Sequence, residues 1–205
     1  MQKIFEEFYS LSHWYDEESK SGPGSNLKQT IEIRRILPEV FNKFHIKRVL
    51  DLPCGDFNWM KEVDLNGTKY WGADIVTDVV GHNTKSYSSA NRKFAWADIT
   101  STRLGEFDLV FCRDCMVHLS DDDVKKAIYN IKKSGSKYLM TTTFTDRTNR
   151  DIETGGWRPI NLQDLPFQFP SPLKIYNENC TEEGGIFNDK SLAIWRIRDL
   201  PDFKS

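Results

Sequence analysis

The chain has 205 residues, 39% hydrophobic and 28% charged, a balance that suits a soluble globular chain with room for one packed core. Its apolar runs are too short to span a membrane, and the start MQKIFEEFYSLSHWYDEESK lacks the basic and apolar regions of a signal peptide, so a cytoplasmic location is expected. The net charge of −2, without a Lys/Arg block, argues against a nucleic-acid partner.

In chain order, Ile4, Phe5, Phe8 and Leu11 are spaced as the apolar stripe of an amphipathic helix within residues 1–20. Ser21-Gly-Pro-Gly-Ser25 breaks it, because two glycines around a proline do not continue a helix. A second helix is expected from Ser25 or Asn26 to Leu37, before Pro38, and a short third over Glu39–Phe44. Alternation follows: strands are predicted at Arg48–Leu52, Tyr70–Ile75, Lys93–Ala97, Phe107–Arg113 and Lys137–Thr143. Ser120 followed by three aspartates marks a helix N-terminus, and Lys132, Lys133 and Gly135 mark its end. Two further strands are expected near Leu173–Asn177 and Leu192–Ile197. Strands alternating with helices predict an α/β fold, a mostly parallel sheet covered on both faces. One domain over residues 1–205 is expected, with N-terminal helices and a covering loop (1–44), a core (45–145) and a final segment (146–205).

In such sheets the ligand lies at the carboxyl ends of the strands. Acidic residues collect there: Asp56 after the first strand, Asp74 and Asp98 ending the second and third, Asp114 after the fourth. Asp74 is placed to accept both hydroxyls of a ribose, or else to cap the next helix. Asp98 is placed to accept an adenine amine, or else to close a local turn. Gly55 allows close backbone approach at the first turn. Pro53 and Cys54 stand where a dinucleotide fingerprint has glycine, so a pyrophosphate cradle is missing and a cofactor without phosphates fits better.

Four segments now carry a resemblance. Val49-Leu-Asp-Leu-Pro-Cys-Gly-Asp56, Tyr70-Trp-Gly-Ala-Asp-Ile75, Ala95-Trp-Ala-Asp-Ile99 and Phe107-Asp-Leu-Val-Phe-Cys-Arg-Asp114 resemble, in order, the first four motifs of class I S-adenosylmethionine-dependent methyltransferases. The resemblance implies a Rossmann-like, seven-stranded fold and S-adenosylmethionine as cofactor, leaving S-adenosylhomocysteine. It implies that Asp51, Pro53, Cys54, Gly55, Asp74, Ile75, Asp98, Ile99 and Arg113 contact that cofactor, with Trp14, Ser21 and Gly22 from a covering loop. The alternative for the Ser21–Ser25 segment is a plain connector. Ser21-Gly-Pro-Gly-Ser25, Val117-His-Leu119, Gly156-Trp-Arg-Pro-Ile-Asn-Leu162 and Pro166-Phe-Gln-Phe-Pro170 are similar to small methyltransferases of bacteria and large viruses, some associated with methylation of rhamnose hydroxyls.

A sugar hydroxyl is a weak nucleophile that gains from proton removal. His118 is the candidate base, with Asp114 four residues earlier to orient it if the two lie on one helical turn. The alternative is a histidine that packs locally. The segment after the fifth strand is polar and aromatic, and Arg147, Asn149, Asp151, Trp157 and Arg158 are candidates for a carbohydrate acceptor. No compact metal spacing occurs; a divalent metal is not favoured, and the lone Cys112-x-x-Cys115 reads as structural. Competing readings are a methyltransferase for a protein or another small molecule, and a cofactor-binding module without catalysis.

Overall fold

The computed structural model describes residues 1–203. Its strands are β1 (Arg48–Asp51), β2 (Lys69–Asp74), β3 (Arg92–Trp96), β4 (Leu109–Cys112), β5 (Tyr138–Phe144), β6 (Lys174–Asn177) and β7 (Lys190–Arg196). They form one sheet in the order β3-β2-β1-β4-β5-β7-β6. The first five strands pair in parallel, and β7 runs antiparallel to both β5 and β6. The strand order reverses beside β1, where β4 pairs on the side opposite β2, and this switch point opens a crevice at the carboxyl ends.

Period-2 alternation divides the core. Leu50, Val110, Cys112, Leu139, Ala193 and Trp195 face one apolar cluster. Their neighbours Val49, Leu109, Phe111, Met140, Leu192 and Ile194 face the other. Buried on both faces, β4 and β5 read as continuous apolar or small-residue runs, as central strands of a covered sheet do.

The helices are α1 (Gln2–Ser10), α2 (Ile31–Lys43), α3 (Thr77–Tyr87) and α4 (Asp121–Lys133). At α4 the Ser120 hydroxyl accepts from the Asp123 N–H, three aspartates occupy the first turn, and two lysines close the last. Val124, Ala127, Ile128 and Ile131 form its buried stripe.

Near Pro38 the structure corrects the sequence reading. The second and third predicted helices are one helix, α2, with Pro38 inside it. Ile33, Ile36, Leu37, Val40 and Phe41 make a single buried stripe through the proline. Burying each is worth about 1.5–3 kcal/mol, so the stripe outweighs the ~3 kcal/mol cost of an internal proline. The helix also starts five residues later than Asn26. The Asn26 side chain accepts from the Gln29 N–H and its carbonyl accepts from the Thr30 hydroxyl, a turn that competes with helix. Helix α3 had no predicted counterpart: only Val79 and Asn83 are buried, too little to print a stripe on the sequence. Helix α1 lays Phe5 and Tyr9 on a patch of Ile75, Val76 and Val79, just past the end of β2.

Candidate active site

A cavity of about 500 Å³ lies at the carboxyl ends of β1, β2 and β4, roofed by the chain before α2. Asp51, the last residue of β1, and Asp74, the last of β2, are both buried and both line it. The turn after β1 is held against β2: the Cys54 N–H donates to the Ala73 carbonyl, and the Gly55 N–H donates to Asp74 Oδ2 at 3.0 Å. Asp74 Oδ1 accepts from the Val76 N–H at 3.0 Å, so this carboxylate also caps the entry to α3. Burial pushes the Asp74 carboxyl up to about 6, against those N–H bonds. Burial pushes Asp51 up to about 8, although the Tyr70 hydroxyl donates to it at 2.5 Å.

Gly55 has a φ of +54°, and a Cβ there would lie 2.4 Å from Ser21 Oγ. The close approach that demands glycine is thus to the segment before α2. That segment is laced down: the Ser19 hydroxyl and Lys20 N–H donate to Asp56 Oδ2, and the Asp56 N–H donates to Ser21 Oγ. Gly22, at φ +95°, lies so near Trp14 that a Cβ would come within 2.9 Å of it. Trp14, Ser21 and Gly22 all line the cavity, whereas Tyr15 is exposed and does not.

On the β4–β7 side stands an ionic network. The buried Arg113 guanidinium, over the Trp59 ring, pairs with Glu178 at 2.9 Å and Asp114 at 3.1 Å. Lys190, 6% exposed, places Nζ 2.8 Å from Asp114 Oδ2, with Glu182 at 3.7 Å. The Asp114 N–H donates to the Thr142 hydroxyl, which donates back to Oδ1. Burial opposes ionisation of Asp114, yet Arg113 and Lys190 outweigh it and hold the carboxyl well below the usual carboxylate range.

His118 sits on a single 3₁₀ turn, Met116–His118. Its Nδ1 lies 2.9 Å from the Gly156 carbonyl oxygen. A carbonyl only accepts, so Nδ1 carries the proton and Nε2 keeps a lone pair. Burial lowers the His118 pKa, opposed by this bond and by Asp114. The Trp14 ring centroid lies 5.2 Å from the imidazole.

The structure corrects several sequence assignments. Asp114 has a φ of +51°, so it and His118 do not share a helical turn, and its oxygens pair with Arg113, Thr142 and Lys190 rather than with the imidazole. Asp98 does not line the cavity; its Oδ1 accepts from the Thr100 N–H and hydroxyl, the local-turn alternative. Ile99 and Ile75 do line it, as do Pro53, Cys54 and Arg113. Of the five candidate acceptor contacts only Trp157 reaches the cavity, edge-on to Phe144 and Phe187. Arg147 pairs with Asp189, and Asn149 ties the carbonyls of Asn161 and Leu165 together. Asp151 accepts from the Asp121 N–H at the start of α4, and Arg158 is fully buried. The polar segment between β5 and β6, residues 145–173, needs internal partners for its backbone, and these side chains supply them. Lys190, Glu178 and Phe187 escaped the sequence reading, because their places depend on the antiparallel return of β7, which leaves no local signal. Among the described residues no group of three or more His, Cys, Asp or Glu gathers to hold a metal ion, and no helix is long and apolar enough to cross a membrane.

Residues 49–135 match the model of a methyltransferase domain. A comparison with curated proteins finds no match. Among solved structures, the chain is similar to an S-adenosylmethionine-dependent methyltransferase from Clostridium acetobutylicum, with a TM-score of 0.61 and 14% identity over 91% of this chain and 97% of that one. It is similar to magnesium protoporphyrin IX methyltransferase from Synechocystis with bound SAM, with a TM-score of 0.62 and 14% identity over 95% and 96%. It is similar as well to the N-methyltransferase NodS from Bradyrhizobium japonicum, with a TM-score of 0.60 and 15% identity over 86% and 99%. The cavity suits the cofactor of that fold: two buried carboxyls held above their ordinary range call for hydrogen-bond donors or positive charge, and S-adenosylmethionine carries ribose hydroxyls, an ammonium and a sulfonium. The structural likeness shows the fold, and the match over residues 49–135 is to a methyltransferase domain.

Proposed function

We propose that the chain is an S-adenosylmethionine-dependent methyltransferase that transfers a methyl group to a hydroxyl of a sugar in a glycan, with His118 as general base. The observation that carries this reading is the bond from His118 Nδ1 to the Gly156 carbonyl, which leaves Nε2 neutral and basic in a histidine that lines the cavity. An amine acceptor is nucleophilic once neutral, whereas a hydroxyl benefits from a base at the moment of attack. A lowered pKa keeps the imidazole unprotonated at neutral pH.

Bound S-adenosylmethionine supplies an electrophilic methyl group. Asp74, with the lone pairs left by Gly55 and Val76, would hold the ribose hydroxyls, and Ile75 and Ile99 would offer apolar surface to the adenine. Asp51, the backbone of Pro53-Cys54-Gly55 and the Ser21-Gly22 segment complete the cofactor side, with Trp14 closing it. Arg113 and Asp114, a fixed charge pair in the cavity wall, would border the acceptor on the other side. Trp157 and Phe187 offer ring faces to the apolar side of a sugar, which is how aromatic side chains meet carbohydrate rings.

The test is S-adenosylhomocysteine release with rhamnosyl and other deoxysugar glycosides, a peptide and an oligonucleotide, each with and without EDTA. Release with a glycoside alone, unchanged by EDTA, is expected. Release with the peptide or oligonucleotide would overturn the acceptor class, and loss of release in EDTA would bring a metal into the reaction.

A further inference from the structure

Resting on His118 as the base, a further residue can be assigned to its placement. A single 3₁₀ turn has little stiffness of its own, since its hydrogen bonds are few and poorly aligned. Yet the four successive carbonyls of residues 116–119 are all claimed from one short stretch, residues 155–158, of the segment between β5 and β6. The Arg158 guanidinium donates from Nη1 to the carbonyls of Met116 at 3.1 Å and Leu119 at 2.8 Å. The Arg158 backbone N–H donates to the Val117 carbonyl at 3.0 Å, and the Gly155 N–H donates to the His118 carbonyl at 2.8 Å. In return the His118 ring donates to the Gly156 carbonyl. Arg158 Nη2 anchors the set to Asp121 Oδ1 at 2.9 Å, in the first turn of α4.

This is a costly way merely to fill space. A fully buried guanidinium loses its hydration, and its Nε finds no partner at all. What the planar fork provides is reach in three directions at fixed angles, which an ammonium on a flexible stem does not. We propose that Arg158 is a positioning residue for methyl transfer: it grips the Met116–His118 turn from below so that the imidazole meets the Gly156 carbonyl and presents Nε2 to the acceptor. Arg158 itself touches neither cofactor nor acceptor; it acts through His118.

The test reads the imidazole directly, in protein saturated with S-adenosylhomocysteine. Nitrogen-15 NMR of the His118 ring gives its tautomer and its titration. Three charged or titratable neighbours face that ring and stay in place: Asp114 after β4, Lys190 on β7 and His13 before α2. In the wild type one tautomer, with the proton on Nδ1, is expected to dominate. In Arg158→Lys, and in the milder Asp121→Asn should the first fail to fold, a mixed tautomer population is expected. The imidazole pKa should move up toward the ordinary histidine value of about 6.5 as the ring gains water. Turnover per S-adenosylhomocysteine-binding site should fall by ~10-fold to ~100-fold, the scale of a misplaced catalytic group. A variant that melts earlier but keeps the wild-type tautomer and titration would reduce Arg158 to a buried strut and overturn the proposal. Failure of the base reading is distinguishable: there His118→Ala would retain full turnover while the Arg158 variants still altered the tautomer.

Discussion

The two sides of the cavity are built by different means. On the β1–β3 side, the groups that line the cavity are the residues that end strands, Asp51 and Asp74, and the turn that follows β1. Position along the strand fixes their place, so a short sequence motif carries the whole arrangement. On the β4–β7 side, every important group is placed by something distant in sequence. Gly156 sets the tautomer of His118 across 38 residues, and Lys190 pairs with Asp114 across 76. One side is a property of strand ends and the other of long-range tying, so substitutions should affect them separately.

The largest expected effect tests that separation on the acceptor side. His118→Ala should lower turnover by ~100-fold or more while leaving S-adenosylhomocysteine affinity by calorimetry within twofold of wild type. Comparable turnover in the variant would remove the base from the mechanism. A joint loss of affinity would show that the two sides are not separable.

The converse substitution is Asp74→Ala. Hydrogen bonds to a charged group are worth about 1.5–3 kcal/mol, so S-adenosylhomocysteine affinity should weaken by ~10-fold to ~100-fold. The KM for the acceptor should stay put at saturating cofactor. Because Asp74 also accepts from Gly55 and Val76, the melting temperature should fall as well, and an Asp74→Asn variant separates the two losses. Unchanged affinity in both variants would move the ribose elsewhere.

A smaller effect divides the 145–173 segment within itself. Trp157→Ala should raise the KM for the acceptor by ~2-fold to ~10-fold, the worth of a lost ring contact, with kcat and cofactor affinity unchanged. Arg147→Ala should leave that KM alone and reduce stability by up to about 1 kcal/mol, because its partner Asp189 lies outside the cavity. Steady-state kinetics beside thermal melts would check both, and a KM effect from Arg147 would return it to the acceptor contacts.

The same contrast governs what could be read from the sequence. The strands were legible because buried central strands such as β4 print a bare apolar run. Helix α4 was legible because its cap, acids and terminal lysines are all local. Asp74 was legible as a strand end. Helix α3 was not, since it buries only two residues, and the continuity of α2 was hidden because Pro38 reads locally as a stop whatever the stripe around it does. The polar loop residues were legible as functional in type but not in role. Arg147, Asn149 and Asp151 look in sequence like ligand contacts, and only the fold reveals the carbonyls, N–H groups and carboxylates that already hold them. Asp98 is met in the same way, by Thr100 two residues away, in the local turn that its place in the sequence also offers.

The mildest probe needs no acceptor and asks whether the β1 side is strained toward its ligand. Asp51 has a native pKa of about 8, raised by burial, against about 3.9 for an unfolded aspartate. Between those values the native state holds a proton that the unfolded state has released, so stability falls as pH rises. Asp74 contributes in the same direction only up to about 6, and His118, whose pKa is lowered, works the opposite way below about 6.5. From pH 6.5 to 8 Asp51 therefore dominates among these three groups, with a slope of at most about 1.4 kcal/mol per pH unit. Urea unfolding across that window should show the decline in the free protein and its absence in Asp51→Asn. Saturating S-adenosylmethionine should flatten the wild-type curve as well, because a cationic ligand beside the carboxyl favours its ionised form and draws the native pKa back toward the unfolded one. A decline that survives in Asp51→Asn would place the titrating group elsewhere. A curve that the cofactor leaves unchanged would mean that Asp51 lines the cavity without meeting the ligand's charge, and the cofactor side would then rest on Asp74 and the Gly55 turn alone.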